Sequence, residues 1–184
     1  EVAYDPDPAV GLQAHIAIEG GGLRLRLFNN DLDDDFAPRM TDVSGLLVVE
    51  NETIRIQNLR GQVESIRYTV NGAVQGFEPI APLSLTVTTN AFGLDPDPDY
   101  LAALGPMVQK HYHRFSPTGT FKAKVHLVRH TRGGPVEYDG SVDVINGTAA
   151  YHKFPYPVRQ IHGRIRFTHE QLQVEELHGT GPAG

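Results

Sequence analysis

The sequence predicts a mainly β chain: a long antiparallel sheet of about a dozen strands with one short, interrupted helix. Three observations carry this. Apolar and polar residues alternate with period two over most of the 184 residues, Gly- and Asn-rich turn signals separate the alternating runs, and one hairpin pattern occurs twice. Shifted by 118 positions, the distance from Gly45 to Gly163, residues 43–61 fall on residues 161–179 without a gap. Gly45/Gly163, Glu52/Glu170, Leu59/Leu177 and Gly61/Gly179 are identical, and Val43/Ile161, Leu47/Ile165, Val49/Phe167, Ile54/Leu172 and Ile56/Val174 stay apolar. Leu46/Arg164, Val48/Arg166, Arg55/Gln173 and Gln57/Glu175 drift freely. Each copy therefore reads as a strand, a turn at 50–52 or 168–170, and a second strand, with one face held apolar in both.

Along the chain, Leu12, Ala14, Ile16 and Ile18 alternate with polar neighbours. The alternation resumes at Leu23, Leu25 and Leu27 after the triplet Gly20, Gly21 and Gly22, which predicts a hairpin with a glycine turn. The acidic run 29–35 has the spacing of a calcium loop, but Phe36 stands where the sharp turn needs glycine and Asp42 where a bidentate Glu belongs. A solvated loop is expected there. After the first copy of the hairpin, Val63, Ile66, Tyr68 and Val70 alternate up to Asn71-Gly72, a hairpin signal that returns the chain through Val74 and Phe77. The Thr-rich stretch 83–92 reads as a further strand.

Only one stretch reads as helix. Asp95, Asp97 and Asp99 supply caps, and Leu101, Leu104, Val108, Tyr112 and Phe115 follow at three- and four-residue spacing, with Gly105-Pro106 breaking the run in two. Phe121, Ala123, Val125 and Leu127 then alternate against Lys122, Lys124 and His126, and a glycine turn at 132–135 leads into 136–145. Asn146-Gly147 predicts another tight turn, and a Pro-rich link at 155–157 delivers the chain to the second copy of the hairpin. Nearly every connection is a hairpin, so sequential strands should pair.

Bulk properties narrow the function classes. The net charge of −6 and scattered basic residues argue against a nucleic-acid partner, and no apolar run approaches the ~18 residues of a membrane span. Zero cysteines exclude disulfide and thiol chemistry. Among the nine histidines, His111 and His113 are the tightest pair, with His126 and His130 nearby, but at a helix end the rings of His111 and His113 diverge and lack a clustered carboxylate partner. No nucleophile elbow, phosphate loop or dinucleotide fingerprint is present, and the Asp-Pro repeats at 5–8 and 95–99 are turn and cap chemistry. The expectation is a protein that is not an enzyme, with no cofactor, no metal and no catalytic residue.

The second copy carries a longer signature: Phe154, Pro155, Pro157, Ile161, Gly163, Ile165, Leu172, Val174, Leu177 and Gly179, with Phe36, Pro38, Val43, Gly45, Leu47, Ile54, Ile56, Leu59 and Gly61 as a weaker first occurrence. This resembles the recurring signature of the AsmA-like, TamB-related bacterial envelope proteins. The helix followed by Pro117-x-Gly119 is also similar to the start of a unit in that family. The first copy departs from the pattern, with Phe36-Ala37-Pro38-Arg39 for Phe-Pro-Tyr-Pro and an eight-residue acidic loop before it.

The resemblance implies a repeating β-groove, a taco-like curled sheet, apolar inside, through which phospholipid moves between the membranes of a double-membraned envelope. Residues 1–92 would end one repeat, 93–118 form a helical link and 119–184 start the next, all in one continuous unit. Any signal or membrane anchor would lie outside these residues. The implied partners are a phospholipid or other acyl-chain ligand and further repeats of the same chain, in the periplasm, with edge-strand dimers a risk for cut edges. Leu47, Val49, Ile54, Ile56, Ile165, Phe167, Leu172 and Val174 are the candidate groove lining. Two other readings compete: a closed β-sandwich serving as an interaction scaffold, whose apolar face would be fully covered, and a His-dependent metalloenzyme.

Overall fold

The computed structural model describes residues 13–24, 39–94 and 106–181. They form ten strands and one helix: β1 (Gln13–Arg24), β2 (Arg39–Glu50), β3 (Thr53–Val63), β4 (Ile66–Gln75), β5 (Leu83–Thr89), β6 (Phe92–Leu94), α1 (Pro106–Phe115), β7 (Thr118–Arg129), β8 (Glu137–Tyr151), β9 (Phe154–Thr168) and β10 (Leu172–Thr180). All the strands belong to one antiparallel sheet ordered β1-β2-β3-β4-β5-β7-β8-β9-β10, with the short β6 also paired to β7. β1 and β10 do not pair with each other, so the sheet is open. Nine strands in sequence span eight spacings, roughly 38 Å at about 4.8 Å each. No second sheet covers this one among the described residues, in contrast to a sandwich.

The two hairpins recognised in the sequence are copies in their hydrogen-bond register as well. Leu47 pairs with Ile56 and Val49 with Ile54 in β2–β3; Ile165 pairs with Val174 and Phe167 with Leu172 in β9–β10. The bulges match too: Ser44/Arg60 and Thr41/Gln62 on one side correspond to His162/His178 and Arg159/Thr180 on the other. Even the left-handed residues coincide, Asp42 with Gln160 and Asn58 with Glu176.

The repeat extends to a third strand that the sequence comparison did not reach. Shifted by 126 positions, the distance from Gly21 to Gly147, β1 lies on β8 with the same pairings: Ile16–Leu47 beside Val142–Ile165, Ile18–Gly45 beside Val144–Gly163, and Gly21–Val43 beside Gly147–Ile161. The eight-residue difference between the two offsets is the acidic insertion between β1 and β2, which hides this third correspondence from a fixed-offset alignment.

The expected chain path is corrected at three glycine sites. Gly20 to Gly22, Asn71-Gly72 and Asn146-Gly147 are not turns; each lies inside a continuous strand, β1, β4 or β8. The first and third are bulges, where one residue is left out of register. Gly72 has another reason. A Cβ there would sit 2.1 Å from the Ser84 carbonyl oxygen and 2.8 Å from Leu85 Cα, so only glycine lets β4 and β5 approach. Its neighbour Asn71 accepts a hydrogen bond from the Asn58 amide at 2.8 Å, satisfying the backbone group that the β3 bulge frees. The turns lie instead at residues such as Glu64-Ser65 and His152-Lys153, the Pro-rich 155–157 belongs to β9, and the dozen expected strands become ten longer ones. The 29–35 loop, the Asp-Pro repeats and the first half of the expected helix lie outside the described residues.

The core is a single stripe on one face of the sheet: Val43, Leu59, Val70, Leu85 and Leu127, one from each of β2, β3, β4, β5 and β7. Helix α1 lies against β8, with Tyr112 buried, the Phe115 ring 5.5 Å from that of Tyr151, and the Arg114 carbonyl accepting from the His152 amide at 3.0 Å. Ser116, in the left-handed conformation, closes the helix by donating its amide to the Tyr112 carbonyl.

Candidate apolar face

Side chains directly opposite each other in an antiparallel pair share a face, so the register alone sorts the sheet. From β3 to β10, the partners Leu59, Val70, Val87, Val125, Gly140, Phe167 and Leu172 follow one another strand by strand in an unbroken apolar row. Parallel rows flank it. Ile16, Leu47, Ile56, Gly72, Leu85, Leu127 and Tyr138 form one from β1 to β8, and Ala123, Val142, Ile165 and Val174 another from β7 to β10. Gly140 leaves room for the Phe167 ring, whose tip would be 2.8 Å from a Cβ there, and Tyr138 flanks that ring at 6.3 Å.

The sheet thus brings all eight candidate lining residues to one face. Their cover differs with position. Val49 is buried, and Leu47, Ile54 and Ile56 are half-buried with Ile56 packed on the core stripe, because β2 and β3 have strands on both sides. Ile165 and Phe167 are half-buried, whereas Leu172 and Val174 on the edge strand are 46% and 55% exposed. The apolar face is closed over its own side chains in the middle and opens toward β10.

The opposite face is polar and cross-linked by ion pairs. Arg164 donates to Asp143 at 2.6 Å, Arg166 lies 3.0 Å from Glu175, and Arg55 lies 3.6 Å from Glu50. The Asp143 contact, first through its hydrogen bond and then through its charge, raises the Arg164 pKa above its ordinary value. These pairs are solvated, so they order the face more than they stabilise it. Val48 is the exception, a buried apolar side chain on the polar side.

The ends of the strands close the apolar face differently. At one end α1 covers β8. At the other, segment 76–82 folds in: Gln75 donates to the Pro82 carbonyl, Gly133 to the Ile80 carbonyl, and Arg132 pairs with Glu78. Beneath it lies Arg129, which occupies an apolar phase of β7 two residues beyond Leu127 and pairs in register with Leu83. Arg129 is 5% exposed, and its Nη1 donates to the carbonyls of Pro79 at 2.9 Å and Ala81 at 3.1 Å. The β7 alternation is apolar through Leu127. A charged residue in the next apolar slot was the signal for Arg129.

The four histidines singled out in the sequence do not form one cluster, and the rings of His162 and His178 stack at 5.6 Å across β9–β10. His111 stacks on Phe115 of α1 at 6.4 Å, His126 lies 3.4 Å from Asp139 across β7–β8, and His130 lies 3.6 Å from Glu137. No group of three or more metal-ligating side chains occurs among the described residues. The half-buried phenol of Tyr68 has its pKa pushed up to about 12 by desolvation. No helix among the described residues is long and apolar enough to cross a membrane. No known protein family, curated protein or solved structure matches the chain.

Proposed function

We propose that the apolar face holds acyl chains outside a membrane, making this chain a non-enzymatic, phospholipid-binding or phospholipid-conducting segment of an AsmA-like cell-envelope protein. The reading rests on one observation: the unbroken apolar row from Leu59 to Leu172, whose far end is solvent-exposed. Six spacings of about 4.8 Å make that row roughly 29 Å long, close to the ~30 Å hydrocarbon thickness of a bilayer that two acyl chains fill end to end. Each methylene moved from water to such a surface gains about 0.8 kcal/mol. Any polar interruption of the row would forfeit part of that. Periodicity adds support, since β8-β9-β10 repeats β1-β2-β3 in register and further repeats would prolong the same face.

The test is photocrosslinking in a lipid-producing host, with p-benzoylphenylalanine placed in turn at Phe167, Ile54, Arg166 and Arg55. Lipid adducts are expected from Phe167 and Ile54 and not from Arg166 or Arg55. Equal labelling from the two faces would overturn the proposal.

A further inference from the structure

The geometry points to Arg129 as an oxyanion anchor: we propose that its Nε–Nη2 edge binds the phosphate or carboxylate head group of an amphiphile whose tail lies on the apolar face. This deepens the acyl-chain reading above and rests on it. A guanidinium presents two edges, and the side-on edge, with Nε–H and one Nη2–H parallel, is the one that grips an oxyanion through two hydrogen bonds. In Arg129 the two protein hydrogen bonds both fall on Nη1, from the Pro79 and Ala81 carbonyls. Nε is buried without any acceptor, and Nη2 has none among the described residues.

No carboxylate forms an ion pair with Arg129 among the described residues, although Arg55, Arg132, Arg164 and Arg166 on the surface all have one. A buried cation without an anion is the costly arrangement, and a guanidinium cannot escape it by losing a proton. Two neutral carbonyls answer two of its five donors. An oxyanion would answer the rest and neutralise the charge.

The position suits an amphiphile. Arg129 ends the cross-sheet row Ala14, Val49, Ile54, Val74 and Leu83, so an apolar path leads up to it from β1. On its own strand it stands two and four residues from Leu127 and Val125, about 7 and 13 Å at ~3.3 Å per residue. A head group held there leaves its tail to turn onto the row that runs through Val125, Phe167 and Leu172. Segment 76–82 holds the guanidinium through Nη1 and leaves Nε without a protein acceptor; its outer residue Phe77 is 60% exposed.

The test titrates the whole chain with dodecyl phosphate, laurate, dodecanol and inorganic phosphate, read by displacement of a neutral fluorescent alkyl probe. Dodecyl phosphate or laurate should displace the probe at least tenfold more tightly than dodecanol, and the stronger of the two identifies the head group. Inorganic phosphate, lacking a tail, should not displace it. R129Q should erase the tenfold preference while leaving dodecanol affinity unchanged, and R129K, with charge but no fork, should recover only part. Because R129Q also releases segment 76–82 and could unfold the chain, the Arg129 Nε–H resonance is followed in the wild-type protein. It should move with the stronger binder of dodecyl phosphate and laurate and stay put with dodecanol. Equal wild-type affinity for anionic and neutral amphiphiles, or an unmoved Nε–H, would make Arg129 a clamp for segment 76–82 only and leave the trough reading standing. Failure of every tailed compound to bind would instead defeat the trough reading, and the anchor with it.

Discussion

Gly45 and Gly163 show how a single atom enforces the repeat. A Cβ on Gly45 would lie 2.6 Å from Leu59 Cα, and one on Gly163 2.3 Å from the Glu176 carbonyl and 3.0 Å from Leu177 Cα. The glycines are identical because the facing strand leaves no room, and Leu59 and Leu177 are identical because they fill the same place opposite. Gly45→Ala should therefore lower stability by about 1–3 kcal/mol, or several degrees in thermal melting, through overpacking against the backbone of the buried Leu59. Gly163→Ala, which faces the half-buried Leu177 where Gly45 faces the buried Leu59, should cost less; equal losses in the two melts would contradict this. Tyr68 gives a pH-dependent prediction. Its folded pKa is raised from 10.0 to about 12, so the neutral phenol is the form the fold favours. That contribution is fully present below pH 10 and disappears as pH rises from 10 through 12. An ultraviolet phenolate titration should show one tyrosine ionising late, and the urea midpoint should fall across the same window in wild type more than in Tyr68→Phe.

At the scale of elements, position in the sheet decides what the same pattern does. Ile56 and Val174 are equivalents in the two hairpins, yet Ile56 packs on the core stripe and Val174 is exposed, because β4 flanks β3 on the side away from β2 and nothing among the described residues flanks β10 on the side away from β9. Leu59→Ala should accordingly cost about 2–5 kcal/mol, as cavity-forming changes in a packed core do, whereas Val174→Ala should change stability by less than ~0.5 kcal/mol. Denaturant titration separates the two. Val174→Glu is the informative functional variant: it should leave the melt unchanged and cut acyl-chain binding, and a binding curve identical to wild type would count against the trough. The glycine-rich sites depart from their local turn signal at this scale. Asn71-Gly72 is a strong turn signal locally, but close contact with β5 and the Asn71–Asn58 hydrogen bond turn it into strand interior. Local chemistry alone does not separate a bulge from a turn, since both ask for glycine and asparagine.

For the whole molecule, the open sheet leaves two strand edges. β10 combines an unpaired edge with exposed Leu172 and Val174, which is the arrangement that associates through strand addition. Sedimentation should show self-association rising with concentration, weakened by Val174→Lys; a strict monomer at high concentration with intact β10 would show that the edge is blocked. The register of β8-β9-β10 on β1-β2-β3 also makes six strands along the sheet the repeating unit, with α1 set between β6 and β7.

The period-two alternation and the shared hairpin were enough, by themselves, to determine an antiparallel β chain and to pick out eight residues of one phase, because which way a strand residue points follows from its position along the chain. Whether those phases meet on one surface depends on how many residues each bulge and turn consumes between the hairpins, and a slip of one would invert a whole strand. The tertiary structure decided that: it merged predicted turns into strands and joined both hairpins through one apolar row. It also set a buried arginine at the end of a neighbouring row. Arg129 could be seen in the alternation as a misplaced charge, but its two carbonyl partners come from residues about fifty positions earlier, and only the folded chain brings them together.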